Sequence, residues 1–100
     1  MPTYVLLTRV SPEAMSAPAK LEQLEVQVKK RITRHCPGVQ WIANYAVMGP
    51  YDYLDIFEAP DNVTASKVST IVRSFGHATT ETWGAIPWSQ FKTCLGELKG

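Results

Sequence analysis

The sequence has few of the residues that mark a secreted or membrane protein. It contains only two cysteines, Cys36 and Cys94, which are far apart in a chain of 100 residues. Two isolated cysteines without an amino-terminal secretory signal indicate reduced thiols rather than a disulfide framework. The longest uninterrupted apolar run is only a few residues, too short to span a bilayer. These absences predict a cytoplasmic protein that does not enter a membrane.

The chain also lacks a large excess of charge of either sign, because its formal net charge is only +1. No basic stripe is interleaved with aromatic residues, so no nucleic-acid partner is expected. The densest charge cluster contains Lys29, Lys30, Arg31 and Arg34. Its position at the end of a predicted helix favours a solvated helix terminus over a polyanion site.

Catalytic and cofactor signatures are absent as well. The chain has neither a glycine-rich phosphate loop nor a serine nucleophile elbow. Its two histidines, His35 and His77, lack the spacing of metal ligands. No cofactor and no metal site is therefore expected, and the sequence leaves open whether the protein is an enzyme.

What the chain does contain is the pattern of one globular α+β domain, with 45% apolar residues over residues 1–100. Residues 3–10 are predicted to form a strand. Residues 18–36 have helical periodicity, with Ser16 as a plausible N-cap and Pro18 in the first turn. The apolar stripe of this helix consists of Leu21, Leu24, Val28 and Ile32.

The second half repeats this alternation. Residues 39–48 and 51–59 are predicted to pair as a hairpin around Gly49-Pro50. Asp61 or Asn62 is expected to cap a helix that ends at Gly76. Residues 77–87 are predicted as the fourth strand, and residues 88–98 as a short helix. The order βαββαβ predicts a ferredoxin-like fold with an antiparallel sheet of order 4-1-3-2 and both helices on one face.

The predicted second strand suggests that this sheet needs a partner. Simple alternation places Val39, Trp41, Ala43, Tyr45 and Val47 on one face and Ile42, Ala46 and Met48 on the other. Because both faces then carry large apolar groups, the uncovered face should bind a second copy and form a homodimer. The alternative is a monomer in which the carboxyl-terminal tail covers the open face.

Two blocks of sequence resemble the GYD domain family. The first runs from Met48 to Asp61, MGPYDYLDIFEAPD, and the second from Phe75 to Thr82, FGHATTET. The resemblance extends from the first strand to the fourth. It implies a dimeric α/β barrel of ferredoxin-like subunits from a bacterial or archaeal cytoplasm, and it implies no particular reaction. The chain departs from the family pattern at His77-Ala78 and at Trp83.

Three residues are candidates for catalytic chemistry: Asp55, Glu58 and His77. Asp55 and Glu58 lie within a strand predicted to be central, where a carboxyl group needs a partner or a raised pKa. They fall on opposite faces of that strand. Asp55 shares its face with Tyr53 and Phe57, so it could act as a general base or accept a hydrogen bond from a ligand. Glu58 could instead bond to loop backbone.

Five aromatic residues could line a pocket for a flat organic ligand, although core and dimer packing explains them equally well. They are Trp41, Tyr45, Tyr53, Phe57 and Trp83. The leading hypothesis is a dimeric α/β barrel that binds a small organic molecule. The alternatives are a cofactor-free oxygenase or isomerase of the same architecture, and a purely structural assembly module.

Overall fold

The computed structural model describes residues 1–99. These residues form one antiparallel sheet and four helices in the order βααββαβα. Their bounds are β1 (Thr3–Val10), α1 (Pro12–Met15), α2 (Pro18–His35), β2 (Gln40–Ala46), β3 (Tyr53–Glu58), α3 (Asn62–Ser74), β4 (Ala78–Ala85) and α4 (Trp88–Glu97).

The connection between β1 and α2 contains the short helix α1. Ser11 is its N-cap, and the Ser11 hydroxyl accepts a 3.2 Å hydrogen bond from the backbone N–H of Ala14. The prediction that Ser16 caps α2 is wrong. Ser16 ends α1, and Ala17 precedes α2 without a side-chain cap, while Pro18 opens the helix as expected.

The sheet has the order β2-β3-β1-β4, which is 4-1-3-2 when counted from the other edge. All three neighbouring pairs are antiparallel. β1 lies between β3 and β4, and its register pairs Leu6 with Asp55 on one side and with Thr82 on the other. One face of β1 therefore presents Tyr4, Leu6, Thr8 and Val10, all buried, toward the helices.

A β-bulge interrupts β2 and corrects the predicted alternation. Trp41 pairs with Phe57, but the next paired residue is Ala43, opposite Ile56, so Ile42 is the extra residue. Beyond the bulge, Asn44 pairs with Asp55 and Tyr45 with Leu54. Trp41 and Tyr45 therefore do not share a face. Trp41 lies on the helix side, and Tyr45 lies on the open side with Leu54 and Ile56.

The core lies between the sheet and the carboxyl-terminal half of α2 together with α3. Phe57 is fully buried and stacks on Tyr4 with ring centroids 5.5 Å apart. Ile32 from α2 and Val68 from α3 are at most 2% exposed in the same cluster. Burying each of these side chains contributes about 2 kcal/mol of hydrophobic free energy.

The two long helices cover the sheet unequally. α3 packs against β4, and the hydroxyls of Ser69 and Thr80 are hydrogen-bonded at 2.8 Å. In contrast, Leu21, Leu24 and Val28 in the first part of α2 are only partly buried. Because these apolar side chains do not reach the strands, a cavity remains between α2 and the sheet.

The last helix lies apart from this core. α4 has no buried residue, and Trp88, Phe91, Leu95 and Leu98 are all exposed. Their three- and four-residue spacing places them along one side of the helix. None of the helices within residues 1–99 is long and apolar enough to cross a membrane.

Candidate functional site

The candidate site is the cavity beneath the first part of α2, with a volume of about 450 Å³. Its apolar wall comes from the α2 stripe and from Leu6 and Val10 of β1. Its polar groups come from β2, β3 and the side of α2 that faces them. A cavity of this size falls within the range that holds small organic ligands in proteins.

Asp55 supplies the carboxyl group on the sheet side of the cavity. Its Oδ1 accepts a 2.7 Å hydrogen bond from Nδ2 of Asn44 on the adjacent strand. Burial raises the pKa of Asp55, whereas the hydrogen bond from Asn44 and the charge of Lys29 oppose the shift. Asp55 is therefore a partly desolvated carboxyl group with one fixed partner and free acceptor capacity.

Charged residues of α2 stand over the same region. Glu25 and Lys29 form an ion pair of 3.0 Å, one helical turn apart, and both line the cavity together with Glu22. Both members of the pair are more than half exposed, so the pair contributes little to stability. With Asp55, the cavity has three carboxylates and one lysine, a local excess of negative charge.

The structure brings several predicted site residues together. The cavity is lined by Trp41, Tyr53 and His77 along with Asp55. Tyr45 also borders it from β2, but its pairing with Leu54 places its side chain on the open face. Burial is the main reason that the pKa of Tyr53 is raised, and the nearby carboxylates of Asp52, Glu25 and Asp55 add to the shift. His77 lies just before β4, and its carbonyl accepts a 2.7 Å bond from the N–H of Ser11.

Three other predicted residues lie away from the cavity. Phe57 is packed inside the core between Tyr4 and Trp41. Glu58 belongs to the opposite face of β3 from Asp55, as the alternation along the strand predicted, and so does not point toward the cavity. Trp83 lies on the open face of β4 and is 52% exposed.

Sequence reasoning missed a polar group on the open face of the sheet. Tyr51 donates a hydrogen bond from its hydroxyl to Glu81, and the indole N–H of Trp83 donates to the same carboxylate. The Arg9 guanidinium lies 5.5 Å from the centre of the Tyr51 ring. The bond from Tyr51 is the main reason that the pKa of Glu81 is lowered. The alternation of Glu81 and Trp83 was the available signal, but their partner comes from a distant loop.

No group of three or more metal-ligating side chains gathers anywhere in residues 1–99. Cys36 is buried and Cys94 is exposed, and both are free. The cavity offers the partly desolvated carboxyl group of Asp55 and the phenol of Tyr53 against apolar walls. Its other polar groups come from Asn44 and His77 and from the charged residues of α2.

These features define a small α+β domain of ferredoxin-like type that encloses a cavity on its helical face. The chain belongs to the GYD domain family, whose model matches residues 4–95. It is similar to a protein of Thermus thermophilus described as "glutamine synthetase and cystathionine beta-lyase binding protein". The two are 32% identical over 87 residues, which cover 87% of this chain and 90% of the relative.

A solved structure shares the fold. The crystal structure of FFRP-DM1 superimposes with a TM-score of 0.56 and 22% identity, covering 86% of this chain and 100% of the other. At this level of identity the likeness concerns architecture alone.

Proposed function

We propose that this GYD protein binds a small organic ligand in the cavity between α2 and the sheet. The observation that carries the proposal is a cavity of about 450 Å³ with apolar walls and one hydrogen-bonded carboxyl group, Asp55, on its sheet side. Apolar walls provide affinity, and a few placed polar groups orient a ligand. A purely structural assembly module would need no such cavity.

The charges around the cavity favour one class of ligand. Asp55, Glu22 and Glu25 outnumber Lys29, which is already paired with Glu25. An apolar molecule with an ammonium or another hydrogen-bond donor complements this arrangement, because a cation near Asp55 offsets the cost of its desolvation. A carboxylate-bearing ligand of the same shape would meet like charge.

Three related probes test this proposal by calorimetry: indole, tryptamine and indole-3-propionate. We expect tryptamine to bind best and indole-3-propionate worst. Replacing Leu24 with Trp fills the cavity and should abolish binding. Val26→Trp is the matched control, since Val26 lies on the same helix but is 48% exposed. Equal binding to the wild type and the Leu24→Trp variant would remove the cavity from the function.

An enzyme of the same architecture, such as a cofactor-free oxygenase or isomerase, would use this cavity too. Asp55 would then be its general base, because burial raises the pKa of this carboxyl group. Asp55→Asn separates the two possibilities. In a binding protein it lowers affinity for tryptamine by about tenfold, the value of one lost charged hydrogen bond. In an enzyme it abolishes turnover of a substrate that still binds.

The similarity to the Thermus thermophilus protein favours a second function, the binding of metabolic enzymes. The description of that relative concerns glutamine synthetase and cystathionine beta-lyase, and the similarity covers most of both chains. We propose that this chain binds enzymes of these two kinds. Biolayer interferometry with both purified enzymes, from the organism that encodes this chain, tests the idea. No binding of either enzyme at micromolar concentration would contradict it.

We also propose that the working form is a homodimer joined through the open sheet face. Leu7 is only 4% exposed, but Tyr45 and Trp83 on the same face are more than half exposed. These aromatic residues, with Leu54 and Ile56, offer an apolar surface to a second copy. Sedimentation equilibrium should report twice the mass of 11.1 kDa. Trp83→Glu should yield a folded monomer, and a monomeric wild type would overturn the proposal.

A further inference from the structure

A second groove lies between α2 and α3. It has a volume of about 470 Å³ and is lined by Arg31 and His35 of α2 and by Lys67, Thr70 and Ile71 of α3, among others. Arg31 and His35 are four residues apart and therefore lie on the same side of the helix. The two helices thus bring basic side chains to a shared surface.

The positive charge of this groove has no ion-pair partner in the described part of the chain. Within residues 1–99, Glu25 forms an ion pair with Lys29, but neither Arg31 nor Lys67 forms one. Among the described residues, 1–99, no carboxylate lines the groove. Asp61, whose pKa Lys67 helps to lower, is mainly engaged by the backbone and hydroxyl of Thr64.

Arg31 is held in place by contacts with uncharged side chains. Its Nη1 donates a 3.3 Å hydrogen bond to the Ser74 hydroxyl, and the guanidinium lies 5.8 Å from the centre of the Phe75 ring. These contacts leave other N–H donors free to bind an anion, at a reduced entropic cost. Lys67 is near the end of α2: burial raises the pKa of Cys36 there, and the Lys67 charge opposes this.

The groove contains apolar side chains beside the basic ones. Val63 is 66% exposed at its edge, and Ile71 forms part of its base. Lys30 and Arg34 extend the positive charge along the neighbouring side of α2. An open surface that combines basic and apolar side chains fits a segment of protein better than a single small anion.

We infer that this groove binds an acidic segment of a partner protein, with an apolar side chain seated on Val63 and Ile71 between Arg31 and Lys67. The inference deepens the proposed protein-binding function and does not depend on the cavity. A second copy of this chain is a poor occupant, because its densest run of acids, Asp52, Asp55, Glu58 and Asp61, lies in β3 or in the segments that flank it.

The test uses the full chain and a short fluorescein-labelled peptide with leucine at every third or fourth position and glutamate elsewhere. We expect the peptide to bind, as measured by fluorescence anisotropy, and to bind more weakly as salt is added. The same peptide with glutamine for glutamate should lose about tenfold in affinity or more. Equal binding of the two peptides would overturn the inference.

The double variant Arg31→Glu, Lys67→Glu should lose peptide binding. The matched control is Lys20→Glu, Lys92→Glu, which makes the same charge change at exposed positions outside the groove. It should keep most of the affinity. If charge reversal prevents folding, Arg31→Met with Lys67→Met removes the charge and keeps the apolar stems. An equal loss in the control, or unchanged binding by a folded groove variant, would overturn the inference.

Two further measurements separate this inference from the broader function. An oligothymidylate that competes for the groove as well as the peptide would show a general polyanion surface and would contradict a protein-specific site. If glutamine synthetase or cystathionine beta-lyase binds both wild type and groove variant equally, the groove is excluded while protein binding stands. Loss of enzyme binding only in the groove variant supports both.

Discussion

Asn44 and Asp55 face each other across β2 and β3, with Nδ2 of Asn44 donating a 2.7 Å hydrogen bond to Oδ1 of Asp55. This pairing depends on the bulge at Ile42. Simple alternation from Trp41 would have placed Asn44 on the open face, away from Asp55. The extra residue shifts the alternation by one and turns the amide toward the cavity.

The raised pKa of Asp55 makes wild-type stability depend on pH. Burial, the main cause, disfavours the charged form in the folded state. The unfolded chain therefore releases this proton more readily, and stability falls as pH rises from the usual carboxyl range through the folded-state pKa. Asp55→Asn should remove this loss, so that the variant gains stability relative to wild type toward neutral pH. Urea unfolding across that range measures the difference.

The comparison of Asp55→Asn with wild type needs a control without a titratable change. Gln27 lies on the exposed side of α2, so Gln27→Ala can serve as this control. It should shift the unfolding curve by the same amount at every pH. A stability difference between Asp55→Asn and wild type that also stays constant with pH would show that Asp55 is well solvated.

Phe57 should prove essential to the core and unimportant as a ligand contact. It is fully buried and contacts the rings of Tyr4 and Trp41. Phe57→Ala should cost about 3–5 kcal/mol in the free energy of unfolding, because it leaves a cavity that close-packed neighbours cannot fill. Phe91→Ala makes the same chemical change on exposed α4 and should cost less than about 1 kcal/mol. Similar losses in urea unfolding would contradict the assignment of Phe57 to the core.

Much of the fold follows from local patterns in the sequence. The apolar run of residues 3–10 and the stripe of α2 predicted β1 and α2, whose observed bounds differ by at most one residue. Pro18 and Asp61 marked the starts of α2 and α3 because a fixed φ and a side-chain acceptor act locally. Such signals need only a few neighbouring residues.

The site was less predictable because its features arise between distant elements. The bulge that separates the faces of Trp41 and Tyr45 is a property of the pairing of β2 with β3. The cavity beneath Leu24 depends on the position of α2 relative to the sheet. The periodicity of the α2 sequence carries no information on that position. The contact of Tyr51 with Glu81 joins positions that are 30 residues apart.

The N-cap of α3 predicts a second pH effect with the opposite sign. Asp61 accepts hydrogen bonds of 2.8 Å from the backbone N–H and hydroxyl of Thr64, and the backbone bond is the main reason its pKa is lowered. The resulting stability is present above the unfolded-state pKa and is lost as pH falls through the folded-state value. Asp61→Ala should therefore destabilise the protein at neutral pH and much less in acid. Thermal unfolding at several pH values measures this.

Asn at the same position keeps an oxygen that can accept from Thr64, so Asp61→Asn should retain most of the neutral-pH stability. Its thermal midpoint should lie closer to wild type than to Asp61→Ala. If the Asn and Ala variants are equally destabilised at neutral pH, the charge of Asp61 matters more than its hydrogen bonds.

On the open face, the pKa of Tyr51 should depend on the charge of Glu81. Its hydrogen bond to Glu81 is the main reason that the pKa of Tyr51 is raised, because ionising the phenol removes the donated proton beside a carboxylate. Glu81→Gln removes the negative charge, so the Tyr51 pKa should move back toward its ordinary value. Titration of ¹³C-labelled tyrosine by NMR resolves Tyr51 from the other three tyrosines.

Trp83→Phe is the control, since it removes the second donor to Glu81 but leaves the bond from Tyr51. It should leave the Tyr51 pKa raised, and a return to the ordinary value in this control would mean that Trp83, rather than the carboxylate, positions the pair.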